Sequence, residues 1–157
     1  MLSCQLQIAD AEAMEALGAR LAEVSAEGGL LVYLHGDLGA GKTTLVRGFL
    51  RGLGHTGNVR SPTYTLVEPY DFPQRQVYHL DLYRLGDAEE LEWIGLRDLL
   101  DGASVALIEW PERGLGVLPP ADLEIHIEYR DCAREVTVAG LSPAGERVAQ
   151  QLDAVTN

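Results

Sequence analysis

The chain has 157 residues, with 24 acidic residues against 12 basic ones and a formal net charge of −12. Affinity for a nucleic-acid backbone comes largely from clustered lysine and arginine, so a chain this acidic is a poor candidate for binding nucleic acid directly. The length suits a single domain over residues 1–157, and the composition, 46% hydrophobic and 23% charged, is typical of a globular protein.

Two further classes of protein are excluded by the composition along the chain. No apolar run approaches the roughly 20 residues that cross a membrane as a helix. The N-terminal residues are acidic and mixed, unlike a signal peptide. Cys4, Cys132 and the four histidines show no spacing typical of a metal or redox site. We therefore expect a reduced, cytoplasmic protein that makes no contact with a membrane.

The hydrophobic pattern predicts alternating strands and helices. Alternating apolar residues predict a strand at 2–8, and apolar residues three and four apart after Asp10 predict a helix that stops at Gly28. The apolar run Leu30–Leu34 is typical of a strand buried on both faces. The later predicted elements are a helix at 42–53, strands at 63–69 and 77–83, two short helices between 87 and 101, a buried strand at 105–110, an antiparallel hairpin at 123–138 and a C-terminal helix that begins at 142–143.

A phosphate-binding loop is the strongest motif of the chain. Residues 36–43, GDLGAGKT, match G-x-x-x-x-G-K-[ST] at every fixed position, between a predicted strand and a predicted helix. Glycines let successive backbone N–H groups face a polyphosphate, at which the helix N-terminus also points. Lys42 would contact the β- and γ-phosphates and the Thr43 hydroxyl would bind Mg²⁺. The predicted nucleotide-binding residues are Gly36, Asp37, Leu38, Gly39, Ala40, Gly41, Lys42, Thr43 and Thr44.

The predicted nucleotide is ATP. Switch-type GTPases commonly recognise guanine with a downstream Asn/Thr-Lys-x-Asp segment. Lys42 is the only lysine of this chain and already belongs to the phosphate loop, so that segment cannot exist here.

Two carboxylates are candidates for holding Mg²⁺ or its waters. Glu109 follows four apolar residues at the end of a predicted buried strand, and Asp81 ends the predicted strand before it. A phosphate loop needs such an acidic group at the end of a neighbouring strand. Glu109 could instead activate the attacking water, and either residue could form an ordinary salt bridge.

A second group of candidates lies outside the loop. Residues 60–65, RSPTYT, occupy the place where switch-type NTPases sense the γ-phosphate through a threonine hydroxyl, although a proline-led turn entering a strand explains them equally well. Trp110 could stack on adenine or on a partner, or lie in the core. Arg113 and Arg134 could reach phosphate or base, or lie on the surface. The candidate switch or partner contacts are Ser61, Thr63, Thr65 and Trp110, and Arg134 is an additional nucleotide-binding candidate.

Several motifs together resemble the TsaE (YjeE) family, the small bacterial ATPases of the tRNA threonylcarbamoyladenosine pathway. The resemblance extends from about residue 30 to residue 135, with all motifs in the same order. The segments that carry it are GDLGAGKTT, GNVRSPTYTLVEPY, VYHLDLYRL, DAEELEWIGLRD, IEWPERG and VLPPADLEIHI.

The resemblance implies an α/β fold of the P-loop NTPase kind, a three-layer sandwich with a mixed parallel and antiparallel sheet. It also implies weak ATP hydrolysis with Mg²⁺, in which Lys42 serves the phosphates, Thr43 and Glu109 serve the metal, and Asp81 and Trp110 matter for activity. The implied partners are the threonylcarbamoyl-transferring subunit and its paralogue (TsaD and TsaB), with tRNA reached only through them. The chain itself would not transfer the threonylcarbamoyl group.

Two other functions remain open on the residues alone. A small-molecule P-loop kinase has a similar size, although such kinases usually close an arginine-rich lid over ATP, and no such segment is visible here. A nucleotide-dependent binding switch with little turnover would carry the same phosphate loop.

The basic charge is concentrated around the phosphate loop. No acidic residue lies between Asp37 and Glu68, and the basic residues in that stretch give it a charge of +4. The remaining residues carry −16. A local positive charge suits the attraction of a polyphosphate, whereas the acidic remainder favours contact with tRNA through basic partners. The basic residues of the stretch are Lys42, Arg47, Arg51 and Arg60.

Overall fold

The computed structural model describes residues 2–25, 28–59, 61–62 and 64–156. Within these residues, seven strands form one sheet: β1 (Leu2–Ile8), β2 (Leu30–His35), β3 (Val67–Phe72), β4 (Arg75–Asp81), β5 (Val105–Glu109), β6 (Leu123–Arg130) and β7 (Ala133–Gly140). The α-helices are α1 (Ala11–Val24), α2 (Lys42–Gly52), α3 (Glu90–Trp93), α4 (Leu96–Leu99) and α5 (Pro143–Thr156), and a 3₁₀ helix spans Pro111–Gly114. In the described part of the chain, no helix is long and apolar enough to span a membrane.

The sheet is mixed, as predicted. Its strand order is β1-β7-β6-β2-β5-β4-β3. The four central strands, β6, β2, β5 and β4, run parallel, whereas β1, β7 and β3 pair antiparallel with their neighbours. The carboxyl ends of β2, β5 and β4 therefore meet at one edge, where open α/β sheets bind their ligands.

Helices cover both faces of the sheet and complete the predicted three layers. The long helices α1, α2 and α5 pack on one face, with Leu45 and Phe49 fully buried. The short helices α3 and α4 cover part of the other face through Leu91 and Leu96. Burial of apolar surface on both faces explains why β2 and β5 are nearly continuous apolar runs.

Glycines bring the helix that follows the phosphate loop close to its neighbour. A Cβ on Gly18 of α1 would lie 2.1 Å from the Leu45 carbonyl oxygen, and one on Gly48 of α2 would lie 2.0 Å from the Glu15 carbonyl oxygen. The two backbones are thus in direct contact, and larger residues at either glycine would push α2 away. This contact sets the position of the N-terminus of α2.

The predicted helix starts are confirmed at both ends of the chain. The Asp10 carboxylate accepts a hydrogen bond from Ala13 N at 2.8 Å, and the Ser142 hydroxyl accepts one from Gly145 N at 3.0 Å. These are N-cap contacts, which satisfy N–H groups that have no acceptor inside the helix.

The element boundaries around the site differ from the predicted ones. The strand predicted at 63–69 begins only at Val67, directly after Leu66, which has a φ of 68°. The strand predicted at 77–83 spans Arg75–Asp81, and β5 stops at Glu109 because Trp110 has a φ of 57°. Asp87 does not cap α3. Its carboxylate accepts from Glu89 N in a turn before the helix starts at Glu90.

Candidate functional site

The loop from β2 to α2 has the backbone that a phosphate cradle requires. Gly39 and Gly41 have φ values of 78° and 121°, which strain any residue with a Cβ. Gly41 is also the N-cap of α2 and has no capping side chain, so the first N–H groups of α2 have no side-chain acceptor at the cap. This end of the helix is suited to an anion.

Lys42 is held inside the loop that it follows. Only 4% of the residue is exposed, and its Nζ donates to the Gly36 carbonyl oxygen at 2.6 Å. The same Nζ lies 3.6 Å from the centroid of the Trp110 ring, a cation–π contact. Burial lowers the pKa of Lys42, and the nearby carboxylates of Glu109 and Asp81 oppose that shift.

Trp110 connects the loop to the end of β5. Its left-handed backbone, with a φ of 57°, is costly for a residue with a Cβ and is typical of functional sites. The turn brings the half-buried indole against the Lys42 ammonium and, at 5.0 Å between centroids, against Tyr83. The ring therefore helps to place Lys42.

Glu109 lies at the end of β5 between two hydrogen-bonding side chains. Only 3% of the residue is exposed. The Thr43 hydroxyl donates to its Oε2 at 3.1 Å, and His79 Nε2 lies 2.6 Å from the same oxygen. A carboxylate only accepts, so His79 donates from Nε2. His79 is fully buried, and its Nδ1 has no hydrogen-bond partner within the described part of the chain.

Asp81 is the register partner of Glu109 across β4 and β5. Burial raises the pKa of Asp81, and a hydrogen bond from Tyr83 N at 3.0 Å acts in the opposite direction. Both carboxylates and Lys42 line one pocket of about 230 Å³. The pocket residues are Leu38, Gly39, Gly41, Lys42, Thr43, Thr44, Ser61, Asp81, Glu109 and Trp110.

A second pocket lies on the other side of the phosphate loop and contains Arg134. The Arg134 Nε donates to the Ala40 carbonyl oxygen at 3.1 Å, and its guanidinium lies 4.1 Å from the Tyr129 ring centroid. The Tyr129 hydroxyl in turn donates to the Leu38 carbonyl oxygen at 3.0 Å. The pocket shares Gly39, Gly41 and Thr44 with the first one and is also lined by Met14 and Cys132.

The remaining candidates are placed differently. Ser61 lines the pocket with Lys42, whereas the Thr65 hydroxyl donates to Glu68 Oε1 at 3.3 Å in an exposed segment. Thr63 lies outside the described residues. Arg113 is exposed, with its guanidinium 5.7 Å from the Tyr83 ring, and does not line the pocket.

Comparison with known proteins identifies the family. A family model described as Threonylcarbamoyl adenosine biosynthesis protein TsaE matches residues 8–136. The chain belongs to the TsaE family. It is similar to a protein named tRNA threonylcarbamoyladenosine biosynthesis protein TsaE from Haemophilus influenzae, at 48% identity over 94% of this chain and 96% of that protein. A protein of the same name from Bacillus subtilis is 38% identical over 85% of this chain and 84% of that protein.

A solved structure extends the similarity to the fold. The crystal structure of Bacillus subtilis YdiB superposes with a TM-score of 0.83 and 31% sequence identity, covering 99% of this chain and 97% of that one. The predicted TsaE resemblance and the predicted α/β fold with a mixed sheet are therefore confirmed.

The motifs of the sequence predict no role for His79 in this TsaE site, although it is part of the VYHLDLYRL segment. Its signal was the alternation of β4, which puts Val77, His79 and Asp81 at buried positions. A histidine at a buried position two residues before a candidate carboxylate can be expected to contact polar neighbours, because buried polar groups need partners.

Proposed function

We propose that this TsaE-family chain binds and hydrolyses ATP with Mg²⁺ and acts as an accessory subunit in the threonylcarbamoyladenosine modification of tRNA. The observation that carries the proposal is that Lys42, Thr43 and Glu109 line one pocket at the phosphate loop, where the Thr43 hydroxyl donates to Glu109 and both Lys42 and Glu109 are buried. A structural turn between a strand and a helix does not need a buried ammonium facing a buried carboxylate, because both groups cost free energy to bury.

The phosphate loop supplies the positive side of the site. Backbone N–H groups of the loop and of the α2 N-terminus would bind the phosphates, and Lys42 would contact the β- and γ-phosphates. Trp110 supports the ammonium from one face and restricts its position. Since the charge that develops during phosphoryl transfer falls on these oxygens, a fixed ammonium stabilises the transition state.

Thr43 and Glu109 fit a magnesium site by their donor chemistry. Their hydroxyl and carboxylate oxygens are the ligands that Mg²⁺ prefers, and they already lie 3.1 Å apart. Held there, Mg²⁺ would neutralise part of the negative charge of the phosphates. His79 holds one oxygen of Glu109 and so orients the carboxylate.

We assign Asp81 to the attacking water. It lies beside Glu109 on the next strand and lines the same pocket. Burial raises the pKa of its carboxyl, which makes the carboxylate a stronger proton acceptor than an exposed one.

The pocket beside Arg134 suits the nucleoside. It adjoins the loop through Gly39 and Gly41, and it offers the apolar Met14 side chain together with the Arg134 guanidinium. A base can pack against an apolar wall while polar atoms at the rim recognise its edge.

The role in tRNA modification is transferred from the named relatives. The partners are those that the resemblance to the TsaE family implies. We propose that the chain associates with the threonylcarbamoyl-transferring subunit TsaD and its paralogue TsaB. With a net charge of −12, this chain would reach tRNA only through them.

A turnover assay tests the proposal. The purified chain is incubated with labelled ATP, with and without TsaD and TsaB, and Lys42→Ala serves as the variant that loses turnover while keeping the fold. Slow ATP hydrolysis that the partners stimulate is the expected result. Label on a small acceptor would indicate a kinase instead, and nucleotide binding without turnover in any mixture would indicate a binding switch. Wild-type turnover in Lys42→Ala would refute the site assignment.

A further inference from the structure

Two histidines and a glutamate converge outside the nucleotide pocket. His35 ends β2 and is the register partner of His126 on β6. Their rings stack with 4.3 Å between centroids and 6° between planes. Glu124 lies two residues before His126 on the same strand, and its Oε1 is 2.6 Å from His35 Nε2. One ligand atom from each of the three residues lies within 4.8 Å of the others.

We propose that His35, Glu124 and His126 bind a divalent transition-metal ion, with Zn²⁺ as the best fit. Two imidazole nitrogens and one carboxylate oxygen form a donor set that zinc accepts readily. Mg²⁺ and Ca²⁺ prefer oxygen ligands alone, so the set discriminates against the ions of the nucleotide site. This proposal does not depend on the proposed ATPase function.

The distances allow such a site once the two imidazoles turn out of their stacked arrangement, because each ring binds a metal through a lone pair in its own plane and the two planes are parallel. With bonds of about 2.0–2.2 Å, tetrahedral ligand atoms lie roughly 3.3–3.6 Å from one another. The 2.6 Å between His35 and Glu124 would open, and any separation near the 4.8 Å limit would close. The backbones are already fixed side by side by the β2–β6 pairing, so only side chains need to move.

The surroundings also favour a metal over a simple histidine pair. Glu112 adds a second carboxylate, with its Oε2 3.5 Å from His35 Nδ1, on the side of the ring where metal-binding histidines commonly have a carboxylate partner. The local charge is therefore negative and attracts a cation.

The site would join three segments of the fold. His35 directly precedes Gly36 of the phosphate loop, His126 lies on β6, and Glu112 belongs to the 3₁₀ helix that follows Trp110. None of them lines the pocket that contains Lys42. A bound ion would therefore stabilise the fold next to the loop without occupying the phosphate position.

Calorimetric titration of the full chain with ZnCl₂ tests the proposal, with MgCl₂ as the reference ion. We expect saturable 1:1 zinc binding, no competition from Mg²⁺, and a Tm that rises by about 5 °C or more at a hundredfold excess over Kd. The affinity should fall at least tenfold in His35→Ala and in His126→Ala. His55→Ala should bind as the wild type does, because His55 contacts Asn58 and Tyr70 elsewhere on the chain.

A second measurement distinguishes loss of the metal site from unfolding of a variant. It also distinguishes zinc bound at this site from zinc bound in the nucleotide pocket. Co²⁺ in place of Zn²⁺ gives visible absorption bands when bound in tetrahedral nitrogen and oxygen sites. These bands should persist in Glu109→Gln and disappear in His126→Gln, with circular dichroism confirming that both variants fold. Unchanged bands in His126→Gln, or the absence of saturable zinc binding to the wild type, would overturn the proposal.

Discussion

The contact between His79 and Glu109 can be tested with a pair of substitutions. Leucine at position 79 fills a similar apolar volume but cannot donate a hydrogen bond, so Glu109 Oε2 would keep only the Thr43 hydroxyl. Glutamine at the same position carries an amide nitrogen that can reach the place of Nε2. His79→Leu therefore removes the donor, and His79→Gln restores it.

The size of the effect follows from the burial of the pair. His79 is fully buried and Glu109 is 3% exposed, so water cannot replace the lost donor. A hydrogen bond to a charged group contributes about 1.5–3 kcal/mol. If that free energy is lost from the orientation of Glu109 in the transition state, kcat falls by about 10- to 150-fold, since 1.36 kcal/mol corresponds to a factor of ten. The KM for ATP should change little, because His79 does not line the pocket that contains Lys42.

The assay is steady-state ATP turnover of each variant at saturating Mg²⁺, with urea unfolding measured in parallel. We expect His79→Leu to lose kcat and His79→Gln to recover most of it, while both remain folded. A purely structural role would lower both variants' stability and leave the kcat of the folded fraction unchanged. Equal losses of kcat in the two variants would refute the hydrogen bond as the cause.

Three other substitutions test separate parts of the structure. Thr43→Ala should raise the Mg²⁺ concentration for half-maximal turnover about tenfold, whereas Thr43→Ser should not, and equal behaviour would contradict the ligand assignment. Asp122→Ala should lower the free energy of unfolding in urea by about 2–3 kcal/mol, because Asp122 accepts from Leu31 N at 2.9 Å and from the Ser142 hydroxyl at 2.7 Å. A loss of unfolding free energy below about 0.5 kcal/mol would contradict a stabilising role of these two hydrogen bonds. Burial and Glu124 raise the pKa of Tyr33 to about 12. Since the unfolded phenol titrates near pH 10, wild-type stability should fall as the pH rises from about 10 to 12, and this slope should be smaller in Tyr33→Phe.

Local sequence signals predicted the parts of the molecule that local chemistry decides. The glycine-rich turn between β2 and α2, the Asp10 cap and the β6–β7 hairpin all depend on residues close together in the chain, and all appear where the patterns place them. The start of β3 was predicted too early, since no pattern signalled the left-handed backbone of Leu66.

Local sequence signals did not predict the contacts between neighbouring strands. The pairing of β2 with β6 brings His35 beside His126, although 90 residues separate them, and spacing along the chain gave no metal signal. The same holds for His79 and Glu109, which meet because β4 and β5 are neighbours. The Trp110 ring reaches Lys42 because its backbone has a positive φ, and hydrophobic periodicity does not predict backbone angles.

Several carboxylates near Lys42 affect how the proposed ATPase would bind its nucleotide. The carboxylates that act on this ammonium are those of Glu109, Asp81, Glu112 and Asp37. Lys42 therefore faces several carboxylates, which weaken the attraction of the loop for a bare polyphosphate. Nucleotide binding should consequently depend on a divalent cation more strongly than the phosphate loop alone would require. Removal of Mg²⁺ with a chelator should weaken ATP binding in the wild type and weaken it less in Glu109→Gln. An equal loss in both proteins would show that the charge of Glu109 does not cause this dependence on the cation.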